Sequence, residues 1–243
     1  MSYINIRDRK LPSFVHYLLE LVAFRHFCAN LVASDLRARF RRSYFGALWA
    51  IIQPLAFSLL IAAVWSSLFQ SKTYWEFALY VFSGMIIWEM FTNSVMLSQE
   101  ALLGGAGYLK QTRAPFLVFQ MRQPLTSTVI LLFGIVGFFA LSISLGMTPP
   151  PGLHLLLIPV FIVIFLLFTI PLAIIMSIIG TMYRDAKHVS TIAVQAMFFI
   201  SPIMLDRAIL DRPGLEVFQY ANPLVSILDL FRAPTLYGEY WSM

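Results

Sequence analysis

From Gln123 to Tyr183 the chain carries no Asp, Glu, Lys or Arg. A helix of about 20 mostly apolar residues crosses a hydrocarbon core of about 30 Å, so this stretch is too long for one crossing. Thr148-Pro149-Pro150-Pro151-Gly152 interrupts it, and three successive prolines cannot continue a helix. Two predicted spans follow, residues 124–147 and 153–180.

The same rule finds three more. Ser43 to Ser71 is free of charge and predicts a span at 47–69. A span at 77–97 contains one charge, Glu89, and a short apolar run at 189–205 ends near Ser201-Pro202. In lipid each backbone polar group must pair within its own element, which makes helices the default. Long uninterrupted apolar runs exclude a barrel of alternating strands. The predicted fold is all-α, a polytopic helical membrane protein with five transmembrane helices. Residues 1–46 form a cytoplasmic amphipathic interface segment, 47–205 the transmembrane domain, and 206–243 an external segment. Val217 to Leu228 is apolar but too short to cross, and Asn222-Pro223 breaks it. It reads as a re-entrant or interfacial piece. No cleavable signal peptide or internal repeat is visible.

Only 12% of the residues are charged and 59% are hydrophobic, against roughly 25% charged in soluble domains. That excludes an ordinary soluble enzyme and a disordered chain. A single cysteine, Cys28, excludes an intrachain disulfide framework. The net charge of +5 resides entirely in residues 1–46, which hold eight Lys and Arg against three Asp and Glu. Lys and Arg accumulate on the cytoplasmic side. Residues 1–46, the loop with Lys110, Arg113 and Arg122, and the turn with Arg184 and Lys187 fall on one side. Lys72, Arg207, Arg212 and Arg232 fall on the other. The N-terminus is therefore expected in the cytoplasm, and the basic pI gives no support for nucleic acid as a partner.

Residues 13–28 read as a helix lying on the membrane surface, with Ser13, His16 and Glu20 on its polar side. His16 and His26 lack ligand-type neighbours at metal spacing. Over 33–47, Ala33, Leu36, Phe40, Tyr44 and Ala47 predict one helical apolar stripe. Asp35, Arg39 and Arg42 lie opposite, with Asp35 and Arg39 spaced for an ion pair; Arg37 and Arg41 make a third line. These arginines suit anionic lipid, at about 1 kcal/mol per basic residue, or a cytoplasmic protein.

No phosphate loop GxxxxGK[ST], GxSxG, HExxH or Cys/His cluster occurs. Gly104-Gly105-Ala106-Gly107 lacks the Lys-Ser/Thr pair and reads as a flexible joint. No catalytic residue, metal site or cofactor is expected in the chain. Glu89 is the one carboxylate inside a predicted span, where insertion costs a few kcal/mol. With Trp88, Thr92, Asn93 and Gln99 it gives its span a polar side, fit for an interhelical hydrogen bond or a wet path. Aromatics are 15% of the chain and are normal at lipid contacts and membrane interfaces. Gln195 and Phe199 share a helical face.

The stretch LRARFRRSYFGALWAIIQP, residues 36–54, resembles the first-span signature of permeases of polysaccharide-exporting ABC transporters. That family serves O-antigen, capsule and teichoic acid export. YLKQTRAPF at 108–116, Tyr183-Arg184-Asp185, Ala221-Asn222-Pro223-Leu224 and Phe231-Arg232 follow in the family's order. The resemblance covers about residues 12–238. It implies a multi-pass subunit of the bacterial inner membrane, not itself an enzyme, exporting a polysaccharide that is lipid-linked. It implies two copies forming one conduit, with two ATPase copies that hold ATP and Mg. Arg37, Arg39, Arg41, Arg42, Lys110, Arg113, Arg184 and Asp185 become ATPase-interface candidates. Trp49, Gln53, Phe57, Trp88, Glu89, Asn93, Gln195 and Phe199 become candidates for the sugar path, where aromatic faces stack on sugar rings, and Asn222, Pro223 and Phe231 become external gate candidates. The family pattern has six spans, so the last is absent from this sequence, and residues 206–243 are expected to be poorly anchored without it. Rival readings are an ABC permease for another amphiphilic cargo, a membrane-embedded transferase of lipid-linked sugars, and a passive channel. The transferase would need several ionisable groups gathered at one interface.

Overall fold

The computed structural model describes residues 14–65, 73–111, 114–147, 152–205 and 216–240, and among them there is no strand. Two helices precede the apolar region, α1 (Phe14–Ala23) and α2 (Arg25–Phe40). A 3-10 turn, Gly46–Leu48, leads into α3 (Trp49–Trp65). Then come α4 (Tyr74–Ser98), α5 (Ala101–Gln111), α6 (Phe116–Ser144), α7 (Leu157–Met182) and α8 (Ala186–Ile200). The short α9 (Glu216–Ala221) and α10 (Pro223–Arg232) follow, and α10 ends in a wide π turn, Ala233–Tyr237.

Gly46–Trp65, Phe116–Ser144 and Leu153–Met182 are long and apolar enough to cross a membrane. Two of them bury one narrow stripe each. In α3 it is Ala50, Pro54, Ser58 and Ala62; in α7 it is Phe161, Phe165, Thr169, Ala173 and Ser177. The four-residue spacing keeps each stripe on one helical face. The opposite faces expose Phe57, Leu60 and Val64 on α3, and Val163, Leu167 and Ile175 on α7. A helix of a soluble protein turns polar residues outward. Outward faces made of Leu, Val and Ile require hydrocarbon as the surrounding solvent, so the chain is a polytopic helical membrane protein.

The hub is α4, packed against α6, α3 and α7. Its 25 residues span about 37 Å at 1.5 Å per residue. Thr73 starts it with a capping box: its hydroxyl accepts from the Glu76 amide and Glu76 accepts from the Thr73 amide. Ser83 and Ser94, both fully buried, donate to the carbonyls of Tyr80 and Met90 at 2.7 Å each. These hydroxyls are thereby satisfied without water. The core beside α4 is rich in phenylalanine: Phe82, Phe138, Phe161, Phe165 and Phe231 are all buried. A buried bond from Gln120 Nε2 to Ser177 Oγ, 2.8 Å, joins α6 to α7. Where α7 crosses the end of α4, a Cβ on Gly180 would lie 2.6 Å from the Gln99 carbonyl oxygen, so only glycine permits this approach.

Four expectations are corrected. The helix expected over 13–28 breaks at Phe24, and α2 then runs on from Arg25. The stripe expected through 33–47 is not one helix. The chain leaves it after Phe40, and Arg42 turns it with φ +61°. Tyr44, expected on the stripe, is fully exposed. The glycine run 104–107 is part of α5 rather than a joint. Gly105 serves close packing there, since a Cβ would meet the Phe119 ring at 2.8 Å. Finally, α10 is well anchored. Leu224, Val225, Ile227, Leu228 and Phe231 are buried against α4 and α7, and the Phe231 ring lies 5.7 Å from Phe138 and 5.2 Å from Phe161. The triple-proline break at 149–151, span residues 66–69, Arg113, Lys72, Arg207 and Arg212 lie outside the described residues.

Candidate functional site

The reversal between α2 and α3 builds the first site. After Phe40, Arg41 is extended and Arg42 left-handed. Ser43 Oγ then accepts from the Gly46 amide at 3.2 Å, which closes the turn and starts the next helix. The last turn of α2 is thereby brought beside the first turns of α3. Arg39 reaches across to the middle of α4, where its Nη2 lies 3.0 Å from Glu89 Oε1. The two side chains keep 34% and 21% of their accessibility, so water screens the pair only in part. Arg39, Ser43, Trp49, Gln53 and Glu89 line a cavity of about 140 Å³, closed by Phe40, Ala50 and Ile130. Asn93, one turn beyond Glu89, lies beside its carboxylate. Residues from three helices thus make one polar pocket in an apolar bundle.

A second ion pair fixes α2 to α6: Arg122 Nε lies 2.8 Å from Asp35 Oδ2. The Asp35–Arg39 pair expected from their spacing therefore does not form. Each residue instead takes a partner on another helix, because both face the bundle. Burial pushes the Asp35 carboxyl above its usual range, with Arg122 partly opposing the shift. Burial likewise raises the Cys28 thiol, again opposed by Arg122.

The charged turn between α7 and α8 leaves Tyr183, Arg184 and Asp185 exposed. Next to it, Lys187 Nζ donates to Glu100 Oε1 at 2.6 Å, linking the start of α8 to the junction of α4 and α5. Arg37, Arg41 and Arg42 are exposed near the end of α2, and Lys110 lies in the last turn of α5.

Of the path candidates, Trp49, Gln53 and Glu89 meet in the cavity. Trp88 instead packs on Phe91 and Phe198, at 5.5 and 5.2 Å. Phe57 is exposed on α3, and Gln195 and Phe199 are exposed on α8, apart from that cavity. Among the gate candidates, Phe231 is buried in the core. Asn222 caps α10 by accepting from the Leu224 amide at 3.0 Å, and donates to Ser201 Oγ at 2.8 Å. Pro223 occupies the first helical position, where its missing N–H costs nothing.

Sequence reasoning missed what Arg232 does. It is 2% exposed. Its Nε donates to Ser83 Oγ (3.0 Å), Nη1 to the Pro202 carbonyl (2.6 Å) and Nη2 to the Tyr80 carbonyl (3.1 Å). Tyr80 OH donates to the carbonyls of Pro202 and Leu205, at 3.3 and 3.0 Å. One arginine therefore ties α10, α4 and the turn after α8 together. Gly84 makes room, since a Cβ there would lie 2.8 Å from Arg232 Nη2. The signal available in the sequence was an arginine in the run LDLFRAP, one turn after Leu228, on the buried face of an amphipathic segment.

The comparisons with known proteins agree with this architecture. The profile of the ABC-2 type transporter family matches residues 26–236. The chain is similar to the O-antigen export system permease protein RfbA of Myxococcus xanthus, 25% identical over 220 residues, covering 90% of this chain and 84% of that one. It is also similar to the O-antigen export system permease protein RfbA of Klebsiella pneumoniae, 25% identical over 213 residues, covering 86% and 81%. The matched region runs from α2 to the π turn after α10 and includes the ion pairs Arg39–Glu89, Asp35–Arg122 and Glu100–Lys187 and the Arg232 anchor. The chain belongs to the ABC-2 type transporter family of membrane subunits.

Proposed function

We propose that this chain is the permease subunit of an ABC transporter that exports a polysaccharide of the O-antigen type, lipid-linked, across the bacterial inner membrane. The observation that carries this reading is the similarity over about nine-tenths of the chain to permeases named for O-antigen export. Having no phosphate loop, it takes its energy from a separate ATPase subunit, which holds the ATP and Mg. Two copies of each subunit make the working transporter. The N-terminus is cytoplasmic, as the concentration of arginine in residues 1–46 favours.

In this arrangement the exposed Arg37, Arg41, Arg42, Arg184 and Asp185, with Lys110 and Arg113, face the ATPase. Arg39 works one layer further in, through Glu89. Trp49, Gln53, Phe57, Trp88, Glu89, Asn93, Gln195 and Phe199 supply the aromatic and polar groups of the path. Asn222, Pro223 and Phe231 belong to its external end. Closure of the ATPases pushes on α2 and on the α7–α8 turn, and ion pairs such as Arg39–Glu89 pass that displacement to α4.

Deletion of the gene tests the cargo. The expected result is loss of surface polysaccharide and accumulation of the finished glycan inside the cell. Unchanged surface glycan, or accumulation of a different amphiphile, overturns the assignment. Affinity purification of the intact chain from its native membrane tests the partner, and the expected result is an ATPase carrying a phosphate loop.

A further inference from the structure

The cavity between α2, α3 and α4 opens outward and has the chemistry of a site for one face of a ring. Its volume is about 140 Å³, close to that of engineered cavities of about 150 Å³ that accept benzene, so a hydroxylated ring enters it by one edge and leaves the other in the open mouth. Its lining is unlike theirs. It offers a carboxylate and a guanidinium held 3.0 Å apart, the primary amide of Gln53, the hydroxyl of Ser43 and the indole of Trp49. Trp49 is 43% exposed, and its ring is oriented by an edge-on contact with Phe45 at 5.6 Å.

This lining selects by charge. Glu89 already matches Arg39, so the pair is formally neutral. An anion placed here would meet the Glu89 carboxylate, and a cation would meet the Arg39 guanidinium, each without a free counter-charge in the lining. A purely apolar ring would leave the spare carboxylate lone pairs, guanidinium N–H groups and amide without partners, which is unfavourable. A neutral ring bearing hydroxyls satisfies both kinds of group. Its hydroxyls donate to Glu89, accept from Arg39 and do both with Gln53, while its C–H face lies on Trp49.

We propose that the Arg39–Glu89 pocket binds one neutral sugar ring of the cargo. This rests on the polysaccharide-export reading above. Because its polar walls belong to α2, α3 and α4, with Ile130 of α6 behind them, an occupied pocket joins three helices through the ligand, where the ion pair joins only α2 and α4.

The test uses the full chain in lipid nanodiscs and two single-tailed probes, hexyl β-D-glucoside as the neutral ring and hexyl phosphate as the anion. Saturation-transfer NMR is expected to show saturable transfer to the ring protons of the glucoside, without competition from hexyl phosphate. Gln53→Leu, at an exposed position, is expected to weaken that binding about tenfold, the loss of one or two hydrogen bonds. Trp49→Phe, which keeps an aromatic face, is expected to bind within about twofold of the original, since most stacking area remains. In cells, Gln53→Leu is expected to slow glycan export several-fold. Equal competition by hexyl phosphate, unchanged glucoside binding in Gln53→Leu, or unchanged export by that variant overturns the proposal. If deletion of the gene leaves surface glycan intact, the export reading falls by itself, while the glucoside titration still decides what the pocket binds.

Discussion

The guanidinium carbon of Arg232 lies 3.7 Å from the centre of the Tyr80 ring, across a gap of some 150 residues in sequence. A cation over an aromatic face gains more when it is desolvated, and this one is buried. Its N–H groups also satisfy main-chain carbonyls that have no helical partner where α8 ends. Arg232→Met keeps much of the bulk but removes the bond to the Ile203 carbonyl and leaves the Pro202 carbonyl with only the 3.3 Å bond from Tyr80 OH. The expected cost is about 3 kcal/mol, seen as a lower unfolding temperature and poor yield in detergent. Arg232→Lys is expected to recover only part of the loss, because an ammonium cannot reach several acceptors in one plane.

The Arg39–Glu89 pair calls for a double-mutant cycle. With Arg39→Gln, Glu89→Gln and the combination, the coupling is expected to be about 1 kcal/mol, since the pair is partly screened. The measurement is thermal unfolding at low and high salt. Coupling that vanishes at low salt would show the contact to be incidental.

Asp35 supplies a pH dependence with a defined sign. Its carboxyl is raised by burial, with Arg122 opposing, so the folded chain binds that proton more tightly than the unfolded chain does. The resulting contribution to stability is present below the ordinary aspartate value of about 3.9. It is lost as pH rises through the raised folded value. Comparing thermal unfolding of the original and Asp35→Asn across the acidic range is expected to show the original losing stability relative to the variant as pH rises. The opposite slope would mean that Arg122 outweighs burial.

Two neighbouring glycines of α5 are expected to respond in opposite directions. A Cβ on Gly107 would have nothing within 4 Å, so Gly107→Ala is expected to stabilise by about 0.5–1 kcal/mol through helix propensity. Gly105→Ala places its methyl 2.8 Å from the ring of Phe119, which is fully buried. Overpacking of this kind costs about 1–3 kcal/mol. Thermal unfolding of the two variants side by side distinguishes packing from flexibility.

Long apolar runs made α3, α6 and α7 legible in the sequence, because period and hydropathy are local properties. The same locality explains the errors around α2. The spacing of Asp35 and Arg39 suggested a pair along one helix, but the alternative partners, Arg122 and Glu89, lie far along the chain. Glu89 stood out as an isolated carboxylate in an apolar span, and such a residue needs a cation; nothing local said which arginine would supply it. The end of α2 was missed because Arg42 adopts a left-handed conformation that favours glycine or asparagine. The anchoring of α10 was missed because the apolar face of a short segment looks alike whether it meets lipid or protein.

The contact between Gly180 and the Gln99 carbonyl has a mechanical consequence. With no side chain between them, the two backbones come within van der Waals reach at this end of the helices. A slip of α7 along its axis would bring a residue with a side chain against the carbonyl. Further along, the stacked rings of Phe91 and Phe168 hold the same two helices together. The crossing therefore works as a stop against sliding, and the exposed Tyr183–Asp185 turn is held at a fixed height relative to the end of α4.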